Sequence, residues 1–201
     1  MKPLEDIYGE RFFKLRHRLN WRAPIVCSAI QEVFDPRSVI DAGCATGDLV
    51  AEFMTMAVDA YGIEGSRAVM PYLECSAGRV FFYDLRKPLP GPSRRYDLAI
   101  CFEVAEHIEP EHTEQFVLNL VSLSDRILMS AAPPGQGGHH HVNCQPPGYW
   151  VQKFWQYGFF RNLSPENKFK ARLSPWAWKK GIKAYYENSL HFERNKEFAH
   201  D

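Results

Sequence analysis

The sequence predicts an α/β protein, a doubly wound and mostly parallel sheet of about seven strands with helices on both faces. Three observations point to it. Short apolar runs with turn chemistry between them recur at 39–41, 60–64, 80–84, 97–102 and 126–130, each short enough for a strand buried on both faces of a parallel sheet. Segments with helical spacing alternate with these runs. The first run ends in an acid and opens a glycine-rich turn, Val39-Ile40-Asp41-Ala42-Gly43-Cys44-Ala45-Thr46-Gly47-Asp48.

Taken in order, 8–34 reads as helical and would cover one side of a site at the sheet edge. In the turn, Gly43 and Gly47 lack a Cβ, so backbone can press close to a ligand there. Leu49, Val50, Phe53, Met54 and Ala57 then repeat at helical spacing, which gives the following helix one apolar face. The next two strands end in acids, Glu64 and Asp84, and Glu103 follows the fourth. Phe116, Val117, Leu120 and Val121 mark a helix with Pro110 near its start. The loops 87–95 and 131–147 are rich in Pro or Gly and separate elements, not domains. The chain therefore reads as a single domain over 1–201, with a helical cover at 1–35, a ligand-binding half at 36–132 and an acceptor-side part with a helical insertion at 133–201.

Composition narrows the function classes. The 24 Lys and Arg balance the 24 Asp and Glu, so no global field drives the chain onto nucleic acid or an anionic membrane. The five cysteines, Cys27, Cys44, Cys75, Cys101 and Cys144, form no Cys-x-x-Cys and fit reduced thiols. With no apolar signal core and no run long enough to cross a bilayer, the expectation is a soluble, cytoplasmic protein. A phosphate-cradling P-loop is excluded because no Gly-Lys-Ser/Thr follows the turn. The dinucleotide fingerprint is imperfect, since Ala45 stands where its second glycine belongs, which makes an NAD-dependent oxidoreductase a distant reading.

Asp41-x-Gly43-x-x-x-Gly47, with Glu64, Asp84 and Glu103-Val-Ala-Glu-His107, resembles the class I S-adenosylmethionine-dependent methyltransferases. The segment from Ser130 to Trp150, with Gly-Gln-Gly-Gly-His-His-His-Val-Asn inside it, is similar to a bacterial and phage-like branch of that fold known mainly as "methyltransferase domain". The resemblance implies S-adenosylmethionine as cofactor. Asp41, Gly43, Cys44 and Gly47 would hold its methionine part, Glu64 its ribose hydroxyls, and Asp84 its adenine amino group with Leu85 near the ring. Glu103 would floor the site near the methyl.

For the acceptor side, His107 is the first candidate base, because a histidine titrates near neutral pH and this one sits just beyond the fourth strand. His139, His140 and His141 form a second group on the glycine-rich loop, with His140 taken as its catalytic candidate beside His107 and Glu103. Glu103, Glu106 and His107 with a loop histidine, His140, also resemble the divalent-metal set of small-RNA 2′-O-methyltransferases. A metal is not favoured, since Glu-Val-Ala-Glu-His occurs in class I enzymes that need none. The segment 161–183 interleaves Arg161, Lys168, Lys170, Arg172, Lys179, Lys180 and Lys183 with Trp176 and Trp178. It reads as an amphipathic cap with its tryptophans on the sheet and its lysines in water. The competing reading receives a phosphate-bearing acceptor or a single strand of nucleic acid. The expected function is O-methylation of a small polar acceptor such as a sugar or glycan precursor. Metal-assisted RNA 2′-O-methylation and a non-catalytic cofactor-binding regulator are the alternatives, and the oligomeric state stays open.

Overall fold

The computed structural model describes residues 2–91 and 94–198. Seven strands form one sheet in the order β3-β2-β1-β4-β5-β7-β6. They are β1 (Ser38–Ala42), β2 (Asp59–Glu64), β3 (Val80–Phe82), β4 (Leu98–Phe102), β5 (Arg126–Ser130), β6 (Phe159–Arg161) and β7 (Ser189–Arg194). β1 to β5 run parallel, and β7 runs antiparallel to both its neighbours.

Side-chain alternation along each strand builds two cores. In β4, Leu98, Ile100 and Phe102 point to one face, and Ala99 and Cys101 to the other, as the two-residue period of a strand requires. The first face is covered by α3 (Ala23–Phe34), α4 (Asp48–Thr55), α7 (Leu163–Leu173) and α8 (Lys183–Asn188). The second is covered by α5 (Thr113–Leu123) and α6 (Pro147–Trp155), with Trp150 and Phe154 buried against Phe116, Phe159 and Phe192. Strand order reverses between β1 and β4, which opens a crevice beyond their carboxyl ends.

Several boundaries differ from the sequence reading, each for a local reason. The third strand stops at Phe82, because Asp84 accepts from the Arg86 N–H and turns the chain in an Asx-type loop. The helical cover is broken into α1 (Leu4–Ile7), α2 (Glu10–His17), a 3-10 turn at Asn20–Arg22, and α3. Pro24, in the first turn of α3, supplies no N–H that could continue an earlier helix. Pro110 opens a 3-10 turn, and α5 begins only at Thr113. Ala57 lies past α4 at φ +60°. In the C-terminal insertion it is Phe169, Leu173, Ile182 and Tyr185 that pack on the sheet, whereas Trp176 and Trp178 stay 38% and 76% exposed. The expectation that the tryptophans cover the sheet is therefore corrected, because residues on the other side of the insertion already fill that space. Among the described residues, no helix is long and apolar enough to cross a membrane.

Gly62 in β2 is a packing requirement. A Cβ there would lie 2.4 Å from Cys44 Sγ and 2.8 Å from Cys44 Cβ, pressing on the turn that follows β1. We expect Gly62→Ala to cost about 1–3 kcal/mol, as overpacking does in a dense core, and to lower the Tm in thermal denaturation by several degrees. An unchanged Tm would show that the turn yields without strain.

Candidate cofactor and acceptor site

The turn after β1 leans on β2 through its backbone. Gly43 and Cys44 N–H donate to the Ile63 carbonyl at 2.8 and 3.0 Å. Ala45 N–H donates to Glu64 Oε2 at 3.1 Å, and Ser66 N–H donates to Oε1 at 2.7 Å. Gly43 and Gly47 have φ of +84° and +68°, and a Cβ at either would strike Val104 or Cys75, so these two positions need glycine. Gly47 then leads into α4, and Asp48 Oδ2 accepts from Arg22 Nε at 3.2 Å with both side chains buried.

Asp41 lies under this turn. Burial, reinforced by the charge of Asp48, pushes its carboxyl up to about 8, against the opposing pull of Arg22. Burial likewise raises Glu64 to about 7, although the Ser66 and Ala45 N–H groups work the other way. A carboxyl so raised gains most from a cationic or hydrogen-bond-donating partner. Asp41, Gly43, Cys44, Gly47 and Glu64 thus gather at the turn after β1 and the end of β2. Asp84 and Leu85 stand apart from that pattern. The Asp84 carboxylate accepts from Arg86 Nε and Nη2 at 2.9 Å each, which together with the Arg86 N–H holds its pKa below the usual carboxylate range in spite of burial. Leu85 is buried in the second core beside Ile63 and Tyr96.

The N-terminal segment straps these strand ends together. Ser66 Oγ donates to the Tyr8 carbonyl, Arg86 Nη2 to the Lys2 carbonyl, and Leu4 Cδ1 sits where a Cβ on Gly65 would be. A cavity of about 400 Å3 opens beside the strap, lined by Leu4, Glu5, Gly65, Asp84 and Arg86. None of these strap contacts has a sequence signal, because each depends on a chain end folding across loops far away in sequence.

The acceptor side divides into two groups. Glu103 takes φ +55°, a strained conformation for a non-glycine residue. Its carboxylate accepts from Gln136 Nε2 at 3.0 Å and Asn188 Nδ2 at 3.3 Å, and Asn188 also donates to Gln136 Oε1 at 3.0 Å. Gln136 and Asn188 carry no sequence signal for this role, because the two approach Glu103 from segments far apart in the chain. The second group is Glu106, His107 and His141, whose ligand-type atoms all lie within 4.8 Å of one another. His141, and not the expected His140, completes this group. His140, at φ +54°, instead accepts at its carbonyl from His107 Nδ1 at 3.1 Å. His139 Nε2 donates to the Ile7 carbonyl at 2.8 Å.

The His140 carbonyl fixes the His107 tautomer, leaving the Nε2 lone pair free. His141 is fixed the same way, Nδ1 donating to the Gln136 carbonyl at 3.0 Å, and its Nε2 lies 3.9 Å from Glu106 Oε1. Burial depresses His107 to about 4. Glu106 is fully buried and neither carboxylate oxygen accepts a hydrogen bond, although the Ala132 N–H lies near. Burial and the neighbouring Glu103 hold its pKa well above the usual carboxylate range. One acid and two imidazoles with free Nε2 atoms, each oriented by a backbone carbonyl, can move a proton or hold a divalent ion.

A family model described as "Methyltransferase domain" matches residues 15–122. The probable pectin methylesterase CGR3 of Arabidopsis thaliana is 24% identical over 183 residues, covering 84% of this chain and 70% of that protein. The probable pectin methylesterase CGR2 of the same plant is 23% identical over 170 residues, covering 77% and 65%. The structure of magnesium protoporphyrin IX methyltransferase ChlM from Synechocystis PCC 6803 with bound SAH superposes with a TM-score of 0.62 at 18% identity, covering 96% of this chain and 98% of that one. The methyltransferase domain of bacterial CtHen1-C superposes at 0.60 with 16% identity, covering 88% and 98%. At these identities the structural matches speak for the fold.

Glu106 makes a pH-dependent prediction. Its folded pKa is raised, so the unfolded chain releases the proton first and the native state loses stability as pH rises from the ordinary carboxylate range toward the folded value. Glu106→Gln has no such proton to lose. In EDTA, its stability to denaturant relative to the parent should therefore increase between about pH 5 and pH 8. A difference that stays flat across that range would mean Glu106 is solvated or paired.

Proposed function

The chain belongs to the methyltransferase-domain family, and from that we propose that it transfers the methyl group of S-adenosylmethionine to a hydroxyl oxygen of a carbohydrate-type acceptor. The observation that carries the reading is the turn after β1, where buried Asp41 and Glu64 are both held above their ordinary pKa beside a backbone that excludes side chains at Gly43 and Gly47. In this reading Asp41 takes the charged methionine end, and Glu64 takes the ribose hydroxyls with the lone pairs left over from Ala45 and Ser66. When bound, the cofactor supplies an electrophilic methyl group, which the acceptor oxygen takes as the sulfur–carbon bond breaks.

The chain's own residues then have two tasks. The first is alignment in a dry site, which can supply effective molarities of order 10⁵ M or more. Glu103, with Gln136 and Asn188, stands at the end of β4 where the acceptor must approach. The second is removal of the hydroxyl proton. We assign it to Nε2 of His141, with Glu106 3.9 Å away stabilising the resulting imidazolium once its own carboxyl is ionised, and His107 packed edge-on to the His141 ring with centroids 4.9 Å apart. The names of the curated relatives support a carbohydrate acceptor, since both refer to the polysaccharide pectin.

A second reading rests on one specific observation, the orphaned Glu106 carboxylate facing two oriented imidazoles. This donor set suits manganese or zinc better than magnesium. Such an ion would supply Lewis acidity to a hydroxyl acceptor in place of a general base, and RNA ribose ends would then join the acceptor list. Calorimetric titration of manganese into EDTA-stripped protein separates the two. Binding that His141→Ala abolishes supports the metal, and heats at the dilution baseline leave the His141 base.

For the cofactor, we expect Asp41→Ala or Glu64→Ala to weaken S-adenosylhomocysteine binding at least tenfold, about 1.4 kcal/mol. Unchanged affinity in both folded variants would remove the central assignment. The affinity of the parent protein should also rise from about pH 6 to pH 8 and then level off. Below its folded pKa of about 8, Asp41 must give up a proton to face the ligand's ammonium, and above it no proton is released.

A further inference from the structure

Three indoles surround one ammonium on the outer surface of the C-terminal insertion. Lys179 Nζ lies 4.9 Å from the ring centre of Trp21, 5.1 Å from that of Trp176 and 5.4 Å from that of Trp178. The rings are 37%, 38% and 76% exposed. Cores elsewhere in the chain bury their large aromatics, Trp150 among them, and the packing of the insertion is carried by Phe169, Leu173, Ile182 and Tyr185. Trp176 and Trp178 therefore lie outside the packing that holds the insertion on the sheet. Leaving that much indole surface in water is costly, and a cluster of this kind marks an interaction site.

Its position ties it to the chemistry. Trp21 precedes Arg22, which is bonded to Asp48 at the start of α4 and lies over the Tyr185 ring. A Cβ on Gly181 would meet Leu19 and Trp21 at ordinary contact distance, so the insertion lies against this segment. From Lys183 the six-residue α8 runs directly to Asn188, the residue that donates to Glu103. α8 thus begins four residues beyond Lys179 and ends at the acceptor side, and its own length is roughly 8 Å at 1.5 Å per residue. A helix of that length between the two places leaves room for more than one sugar ring.

We propose that Trp21, Trp176 and Trp178, with Lys179 and Lys180, form a subsite for a neighbouring unit of an extended, carboxylate-bearing glycan whose reacting unit lies at Glu103. This rests on the carbohydrate reading above and makes it more specific, with a uronate-containing polymer in place of a free sugar. The chemistry of the surface favours that occupant. The C–H face of a pyranose carries partial positive charge and packs on the negative face of an indole ring. Segment 174–183 holds three lysines and no acid; Lys183 lies 3.8 Å from Glu187, and Lys179 and Lys180 supply the charge that complements a carboxylate on the sugar. A nucleic acid is the poorer match. Its affinity comes mostly from many phosphate contacts, whereas here the chain is neutral overall, Arg172 is paired with Glu32, and the indoles ring a single ammonium instead of lining a strand-length groove.

The test uses the whole chain saturated with S-adenosylhomocysteine, titrated by calorimetry with a galacturonate monomer, a long galacturonate oligomer, a neutral oligomer of equal length and a single-stranded RNA. The expected result is tightest binding of the acidic oligomer. Its affinity should fall at least about tenfold in Trp176→Ala/Trp178→Ala and in Lys179→Gln, with S-adenosylhomocysteine affinity held within about twofold. The Lys179→Gln variant keeps the indoles and guards against a folding defect in the double variant. Equal affinity for monomer and oligomer, no loss in either variant, or RNA outcompeting the acidic oligomer would overturn the subsite. Protein that binds no S-adenosylhomocysteine would instead overturn the methyltransferase reading itself.

Discussion

The hydrogen bonds by which the turn after β1 leans on β2, from Gly43 and Cys44 to the Ile63 carbonyl and from Ala45 to the Glu64 carboxylate, are what the site depends on. They hold the two glycines at positive φ against Val104 and Cys75, and they place Asp41 beneath the turn with Glu64 beside it. The parallel register of β1 with β2 and with β4 brings the carboxyl ends of three strands to one level. Everything the site offers a ligand hangs from that edge. Loops can vary there because the strands beneath are buried on both faces and do not shift.

Placing acids in such an edge has a cost. Asp41, Glu64 and Glu106 are all held above the ordinary carboxylate range by burial, so each lowers native stability as pH rises toward its folded value. His107, depressed to about 4, acts the other way: the unfolded chain takes up its proton first, and stability rises as pH climbs from the folded value to the ordinary imidazole range. The fold carries these opposing terms on two hydrophobic cores. A ligand that supplies cations or donors to the acids recovers part of the cost, which is how a binding site comes to be less stable empty than full.

The strap of residues 2–8 couples the two halves of the site. Tyr8 presents its carbonyl to Ser66 on the cofactor side, and its ring meets His107, His139 and His140 on the acceptor side. Its hydroxyl is buried with no hydrogen-bond partner among the described residues, and burial with Glu64 nearby raises its pKa further. A movement of the strap therefore alters the surroundings of both groups at once.

The sequence by itself determined the α/β class, the five parallel strands and the glycine turn after β1, with Asp41 and Glu64 at the strand ends beside it. Each of these is written in local periodicity or in a turn that only glycine can make. It also singled out the segment Glu103–His107 and the triple histidine as chemistry at strand ends. The tertiary structure alone decided that His141, not His140, faces Glu106, since one residue of difference turns a loop side chain to another side. It alone tied Asp84 to Arg86, joined Gln136 and Asn188 to Glu103 from opposite ends of the C-terminal third, and left Trp176 and Trp178 in water because four other residues had already filled the space beneath them. Periodicity reports which residues share a face. Which of them finds that face already occupied is settled only when distant segments compete for the same volume.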